Sequence, residues 1–417
     1  FSLVAKAGDD DQCRPIARFR PKPENVSISE WKKNYENVEL TFSNTDDFTI
    51  TKRLGSGSYG EVYLGHNVTS LEPFVFKLYR FQKLKRKKML REILVTQSVC
   101  GHPNIIKLLH VIKQSLTGYP VLVFEHAQDT YYRDLYPKLT PEDIRYYMYE
   151  IFKGLAFAHS RGVMHKDLKP ANLLINHQER SVKIIDWGLS QFYVKQETQS
   201  IAGSMYYKSP EMLLDYPKAD LSTDIWSLGC VFAAMLYGRS IYFIGDNNPH
   251  QLITISEVLG TEDLIVYTQK YNMEFNVSSI VVHSPRQSWQ SLVTPERASY
   301  ASEEALHLLS HMLVYDHENR ISARDALRHP YFRSLRNNPT SRATEKGDEP
   351  ENAAPIDKVS NLGDSGHLRG YYGADVQAKV KPGQPSKELQ HASPVEKLFK
   401  HETVNPHVHF PAPNTMQ

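Results

Sequence analysis

One stretch constrains this chain more than any other: Val163-Met-His-Lys-Asp-Leu-Lys-Pro-Ala-Asn-Leu-Leu-Ile175, followed eleven residues later by Asp186-Trp-Gly188. Asp167, a carboxylate able to accept a hydroxyl proton, stands two residues before Lys169 and five before Asn172. Asp186 follows the β-rich run Val182-Lys-Ile-Ile185 and is closed by a glycine two residues on. Metal-assisted phosphoryl transfer to a hydroxyl needs such a set. One carboxylate orients the nucleophile, one holds Mg²⁺, an amide oxygen serves a second Mg²⁺, and a cation sits near the γ-phosphate. Either half alone is weak evidence; the two in this order and spacing are specific.

The preceding segment supplies what such chemistry needs to hold a nucleotide. Alternation over Phe48-Thr-Ile-Thr-Lys-Arg-Leu54 breaks at Gly55-Ser-Gly-Ser-Tyr-Gly60 and resumes at Glu61–Leu64 and Pro73–Tyr79, which predicts an antiparallel meander. A dinucleotide-binding reading of these glycines requires a helix directly after them, and a strand follows instead. In a hairpin, backbone amides free of side chains can cover a triphosphate. Lys77 ends an apolar strand and Glu92 lies in the helical stretch 84–99, fifteen residues on. Alone, Lys77 has a plainer reading as an edge lysine shielding a sheet. A lysine kept charged in a buried place needs a carboxylate, and a Lys77–Glu92 pair would hold the α- and β-phosphates. Lys83, Lys85, Arg86, Lys87, Lys88 and Arg91 share that helix. They read as a solvated face, an acidic-substrate patch or a nuclear-import tag, the last two resting on a concentrated positive field.

Two more strands are expected at Ile105–Ile112 and Val121–Phe124, completing a five-stranded sheet, with Glu125-His126-Ala127 connecting to a second lobe. Thr140 reads as the N-cap of a helix over 141–159 with Pro141 at its first position. Helical patterning dominates from there to about residue 332, with a buried helix opening at Asp224-Ile-Trp-Ser-Leu-Gly229. The expected fold is therefore α+β and two-lobed. Its parts are an extended arm (1–45, with a short helix near Trp31–Tyr35), an upper lobe (46–126), a lower lobe (127–333) and a loosely attached tail (334–417). The tail's composition cannot bury an apolar face, and its His401, His407 and His409 lack the fixed frame a metal tract needs.

Composition excludes several classes. A formal net charge of +2 over 417 residues is too balanced to announce a nucleic-acid binder. No apolar run approaches the ~18 residues of a membrane span. The start of the chain turns acidic at Asp9-Asp-Asp11 without a hydrophobic signal region, which argues against an export signal. Three scattered cysteines (Cys13, Cys100, Cys230) fit no metal-ligand pattern and suit a reducing compartment, nucleus or cytoplasm.

With these motifs in view, residues 31–333 resemble a eukaryotic protein kinase of the CMGC group, and within it the catalytic (alpha) subunits of casein kinase II. Asp186-Trp-Gly188, Val123-Phe-Glu-His126, Arg145-Tyr-Tyr-Met-Tyr-Glu150, Val258-Leu-Gly-Thr-Glu-Asp263, Tyr315-Asp-His317 and His329-Pro-Tyr-Phe332 carry the resemblance. It implies serine/threonine phosphorylation with Mg²⁺ and ATP, GTP use accompanying Trp187, and activity maintained by the arm without phosphorylation. It also implies acidic protein substrates and a regulatory beta subunit as partner, with no nucleic acid. By the same resemblance Leu54, Gly55, Gly57 and Gly60 form the phosphate lid, and Val62 and Val75 lie above the adenine. Lys77 pairs with Glu92, Glu125 and Ala127 form the hinge, and Leu174 and Ile185 floor the pocket. Asp167 orients the hydroxyl, Lys169 stabilises the transferring group, and Asn172 and Asp186 hold Mg²⁺. Lys83, Lys85, Arg86, Lys87, Lys88 and Lys208 meet the acidic substrate, and Glu211 pairs with Arg320.

The chain also departs from this pattern. Lys166 stands where an arginine is usual, and Gly60 is a glycine that the subunit normally lacks. Ile201 and Met205 replace arginines that meet acidic groups beside the target serine. A related CMGC kinase with other substrates is one alternative. A nucleotide-binding scaffold is the other, although Lys77, Asp167, Asn172 and Asp186 are all present.

Overall fold

The computed structural model describes residues 16–19, 38–57, 60–79, 86–114, 118–193, 202–275 and 283–336. In chain order the strands are β1 Ala17–Phe19, β2 Val38–Leu40, β3 Phe48–Ser56, β4 Gly60–Asn67 and β5 Pro73–Tyr79; then β6 Leu108–Lys113, β7 Pro120–Glu125, β8 Val163–Met164, β9 Leu173–Asn176, β10 Ser181–Ile184 and β11 Gln191–Phe192. The longer helices are α1 Arg86–Ser98, α2 Pro141–Ser160, α3 Ser222–Tyr237, α4 Asn248–Leu259, α5 Thr261–Lys270 and α6 Glu303–Met312. The described residues divide into two compact units. The smaller takes 40–79 and 109–126; the larger takes the first strand, 86–108 and 127 onward, so α1 clusters with the larger.

The smaller unit is one antiparallel sheet in the order β3-β4-β5-β7-β6. Alternating side chains give it two faces. One carries the core of Phe48, Ile50, Tyr63, Phe74, Phe76, Leu78, Ile112, Val121 and Val123. Phe48 meets Phe74 and Phe76 edge-on at 5.8 and 5.9 Å. The five expected strands are all present, with one corrected boundary. Ile105 belongs to no strand of this sheet; it bridges Ile184 of the larger unit, and Ile106 N donates to Ile184 O at 3.1 Å. The run Ile105–Ile112 is apolar almost throughout, so no alternation marks where the chain passes from one unit to the other. In the expected arm, β1 and β2 pair as a two-stranded ribbon, while Trp31–Tyr35 lies outside the described residues.

In the larger unit α2 starts where expected. Thr140 Oγ1 accepts from Asp143 N and Asp143 Oδ2 accepts from Thr140 N, both at 3.1 Å, a reciprocal cap ahead of Pro141. Tyr147, Met148, Ile151, Phe152 and Leu155 form its fully buried face. In α3 every residue from Thr223 to Tyr237 is buried, as an all-round apolar helix must be. It stops at Gly238, whose φ of 65° takes the left-handed turn and sends its N–H to Ala234 O. The pair expected to brace this unit is formed: Arg320 grips Glu211 with two bonds of 2.6 Å, both side chains fully buried. Burial opposes charge on Glu211, but the guanidinium outweighs it and holds the carboxyl below its ordinary range.

Candidate active site

The sheet's second face carries the expected nucleotide contacts of the smaller unit. Across β4 and β5, Val62 stands opposite Lys77 and Leu64 opposite Val75; across β5 and β7, Lys77 faces Leu122 and Val75 faces Phe124. Val62, Val75 and Lys77 therefore share one face, each half-buried, turned away from the aromatic core. Phe124 joins them there, a position that alternation along β7 could have flagged. Gly57 N donates to Gly60 O at 2.8 Å to close the hairpin tip. Its glycines have different reasons. A Cβ on Gly60 would lie 2.2 Å from Leu78 O, so the neighbouring strand forbids a side chain there. Among the described residues a Cβ on Gly55 meets nothing within 4 Å and on Gly57 only Gly60 O at 4.0 Å, so these two leave open room. Leu54 beside them is 50% exposed, and Glu125 ends β7.

In the larger unit the expected catalytic residues come together. Asp167 is buried, and both of its oxygens are engaged. Oδ2 accepts from Lys169 Nζ at 2.7 Å and from Asn172 Nδ2 at 3.2 Å. Oδ1 accepts from the backbone N and the Oγ of Ser204 at 2.9 and 2.7 Å. Lys169 Nζ also donates to Ser204 Oγ at 2.8 Å, so Ser204 is a fourth member of this cluster. It lies 37 residues from Asp167 and belongs to no local motif. Asn172 uses its amide nitrogen twice, the second bond running to Asp167 O at 2.7 Å, which leaves its Oδ1 for another partner. Ile185 N donates to Asn172 O at 3.0 Å and thereby keeps the Asp186 loop beside the catalytic loop. Asp186 itself is exposed and left-handed, with φ 59° and ψ 70°, a conformation aspartate tolerates better than most residues.

Buried groups behind the cluster fix the loop. Asp224 Oδ2 accepts from His165 N at 2.8 Å and from His159 Nε2 at 3.0 Å, and Oδ1 accepts from Lys166 N at 2.7 Å. Burial would raise this carboxyl, yet the His159 bond and the other donors bring it below its ordinary value. The tautomer of His165 follows from its partners. Nδ1 accepts from Asp167 N at 3.2 Å, so Nε2 carries the proton and donates to Ile185 O at 2.9 Å. Trp187, buried, meets the His165 ring edge-on at 4.7 Å. One imidazole thus ties the catalytic loop to the Asp186 loop.

The remaining expected residues are placed as follows. Leu174 and Ile185 are half-buried, and Glu92 is buried on α1. Arg86, Lys87 and Lys88 are exposed in the first turn of α1, and Lys208 is half-buried after the single turn Met205–Tyr207. Lys83, Lys85 and Ile201 lie outside the described residues.

Among the described residues no three His, Cys, Asp or Glu side chains form a metal cluster. Asp186 contributes an exposed carboxylate and Asn172 its Oδ1, a hard pair. Such a pair suits an ion that keeps water and takes its other ligands from phosphate. The residues fit that ion.

The family model of the protein kinase domain matches residues 48–332. The chain belongs to the protein kinase family. Its five-stranded antiparallel sheet and its predominantly helical larger unit are the α+β fold of that domain, and its activity is that of a phosphotransferase acting on proteins with ATP as co-substrate. Among the described residues no helix is long and apolar enough to cross a membrane.

Proposed function

We propose that this kinase phosphorylates serine and threonine, and that it is a casein-kinase-II-alpha-like member of the CMGC group. It would use GTP as well as ATP, work without phosphorylation of its activation segment, and act in nucleus and cytoplasm with a regulatory beta subunit. The observation that carries the reading is the Asp167–Lys169–Asn172–Ser204 cluster. Asp167, held at both oxygens, presents a fixed acceptor to an incoming hydroxyl, and Lys169 beside it sets a cation where charge develops. When bound, Mg²⁺ would be held by Asn172 and Asp186 and would neutralise phosphate charge. Of the smaller unit, Gly55, Gly57 and Gly60 would serve as the lid, Val62 and Val75 would meet the base, Lys77 would reach the α- and β-phosphates and the Glu125 backbone would meet the purine edge. Leu174 and Ile185 would floor the pocket. Catalysis of this kind is positioning plus electrostatics.

Acidic substrates are supported by the charge at the start of α1. Arg86, Lys87 and Lys88 occupy its first described turn with no acidic residue there. Cations at that end oppose the helix dipole, so helix stability does not account for them. Together with Lys83, Lys85 and Lys208 they suit carboxylates downstream of the target. Met205, directly after Ser204, offers no charge. Each of the two replaced arginines removes on the order of 1–3 kcal/mol from recognition next to the target. The preference should therefore weaken beside the phosphoacceptor and persist further along. A peptide array scanning Asp and Glu downstream of serine tests this, and uniform transfer whatever the downstream charge would refute it. Comparing a serine with a tyrosine acceptor in the same peptide tests the hydroxyl preference.

A further inference from the structure

Cys13, Cys100 and Cys230 stand far apart in the sequence, and the fold treats them differently. Cys230 is a free thiol buried in α3, and burial pushes its pKa up, away from the reactive thiolate. Cys100 is half-buried at the turn after α1, between the fully buried Val99 and Gly101, whose φ of 100° needs no Cβ. Its sulfur is bonded in a disulfide. With Cys230 free, Cys13 is the partner that the chain supplies. Cys13 lies outside the described residues, but its neighbours set its reach. Ile16 and Ala17 are buried, and Ala17 N donates to Gln97 Oε1 near the end of α1. Cys100 N in turn donates to Gln97 O at 3.2 Å. One residue, Gln97, thus holds the start of β1 with its side chain and Cys100 with its backbone. The three residues from Ile16 back to Cys13 span at most about 10 Å. A disulfide needs Cα atoms about 4.4–6.8 Å apart, and Cys100 is within that reach.

We propose that Cys13 and Cys100 are a redox site, a reversible disulfide that clamps the start of the chain to the end of α1. Formation is a thiol–disulfide exchange with a small-molecule disulfide such as oxidised glutathione. The two cysteine thiols give up two protons and two electrons as their S–S bond forms, the oxidant's S–S bond breaks, and two glutathione thiols leave. Cys100 is partly open to solvent, so the thiolate of a reductant can attack its sulfur and reverse the step. Cys230, closed off in α3, takes no part. What the clamp holds is the helix beside the Asp186 loop: α1 carries Glu92, and Arg91 Nη2 donates to Gly188 O at 3.4 Å. In a reducing compartment such as the nucleus or cytoplasm proposed above, a disulfide of this kind is a sensor rather than a permanent link. The site itself does not rest on the substrate reading.

The test uses the full chain, equilibrated with oxidised or with reduced glutathione. Each form is unfolded, alkylated, digested and mapped without reductant, and the Tm of each is measured. The oxidised form should show Cys230 alone alkylated and a peptide pair joined through Cys13 and Cys100; reduced glutathione should abolish the joined pair. Closing so long a loop should raise the Tm of the oxidised form by about 4–10 °C. Cys13→Ser and Cys100→Ser should each melt like the reduced wild type and ignore the oxidant. The proposal is overturned if oxidation gives no Cys13–Cys100 peptide, if Cys100 is joined only to glutathione or to a second copy, or if reduced glutathione leaves the bond intact. It is equally overturned if the bond forms but the two forms melt within about 1 °C of each other, because the disulfide would then clamp nothing.

Discussion

Replacing Arg320 by methionine would strand a fully buried carboxylate. Arg320 gives Glu211 two bonds of 2.6 Å and also donates to Val314 O at 2.7 Å and Tyr315 O at 2.9 Å, with its guanidinium 5.1 Å from the Trp226 ring. Breaking a buried pair from one side costs about 3–5 kcal/mol, because the remaining charge loses its countercharge and cannot reach water. Three carbonyls lose a donor, Ser222 O (3.3 Å) with Val314 O and Tyr315 O, which places the cost toward the upper end. For a domain of this size that is roughly 6–15 °C in Tm. The sign with pH is distinctive. In the wild type Arg320 keeps the Glu211 carboxyl below its ordinary range, so the pair stabilises above the unfolded carboxyl pKa and is lost only in strong acid. In Arg320→Met the same carboxyl is raised by burial, so acidification neutralises it and relieves the penalty. Thermal unfolding of both proteins at pH 7.5 and 5.5 should show a gap that narrows at the lower pH. A gap under about 3 °C, or one that stays constant with pH, would refute the reasoning.

Other expectations follow from the same geometry. Ser204→Ala removes one bond to Asp167 and one to Lys169, so kcat should fall about tenfold with peptide KM little changed; steady-state kinetics showing full kcat would contradict this. Gly60→Ala drives a Cβ to 2.2 Å from Leu78 O; Tm and ATP affinity should both drop, overpacking of this kind costing about 1–3 kcal/mol. Acid should weaken the wild type through His329. The unfolded side chain takes a proton near its ordinary 6.5, but the folded one, desolvated and beside His307 and His311, resists until about 4. Its contribution is present above 6.5 and lost as pH falls toward 4, so His329→Asn should flatten the slope of Tm against pH in that window.

Much of the fold was legible because its signals are local. The meander was written in alternation and glycines, the start of α2 in Thr140-Pro141, and the catalytic and metal loops in residues a few positions apart. What was not legible depends on contacts between distant segments. Asp224 was visible as the opening of a helix, but not as the acceptor for two backbone amides 58 and 59 residues away. Ser204 meets Asp167 across 37 residues, and Ser has no motif of its own there. Ile105 was assigned to the sheet because an unbroken apolar run carries no period that reports which unit buries it. Lys166 stands out along the chain as a departure from the family pattern, but nothing there names Gln191 as its hydrogen-bond partner.

The central claim is that the Asp167 cluster transfers the γ-phosphoryl group of ATP to a serine hydroxyl. Single-turnover transfer from labelled Mg·ATP to a serine peptide with downstream glutamates should be compared between the wild type and Asp167→Asn, with nucleotide binding followed in parallel by thermal shift. The account predicts efficient transfer by the wild type and a loss of about 100-fold or more in the variant, with the nucleotide-induced rise in Tm retained. Equal transfer by both proteins, or a nucleotide-stabilised wild type that transfers to no hydroxyl, would contradict it.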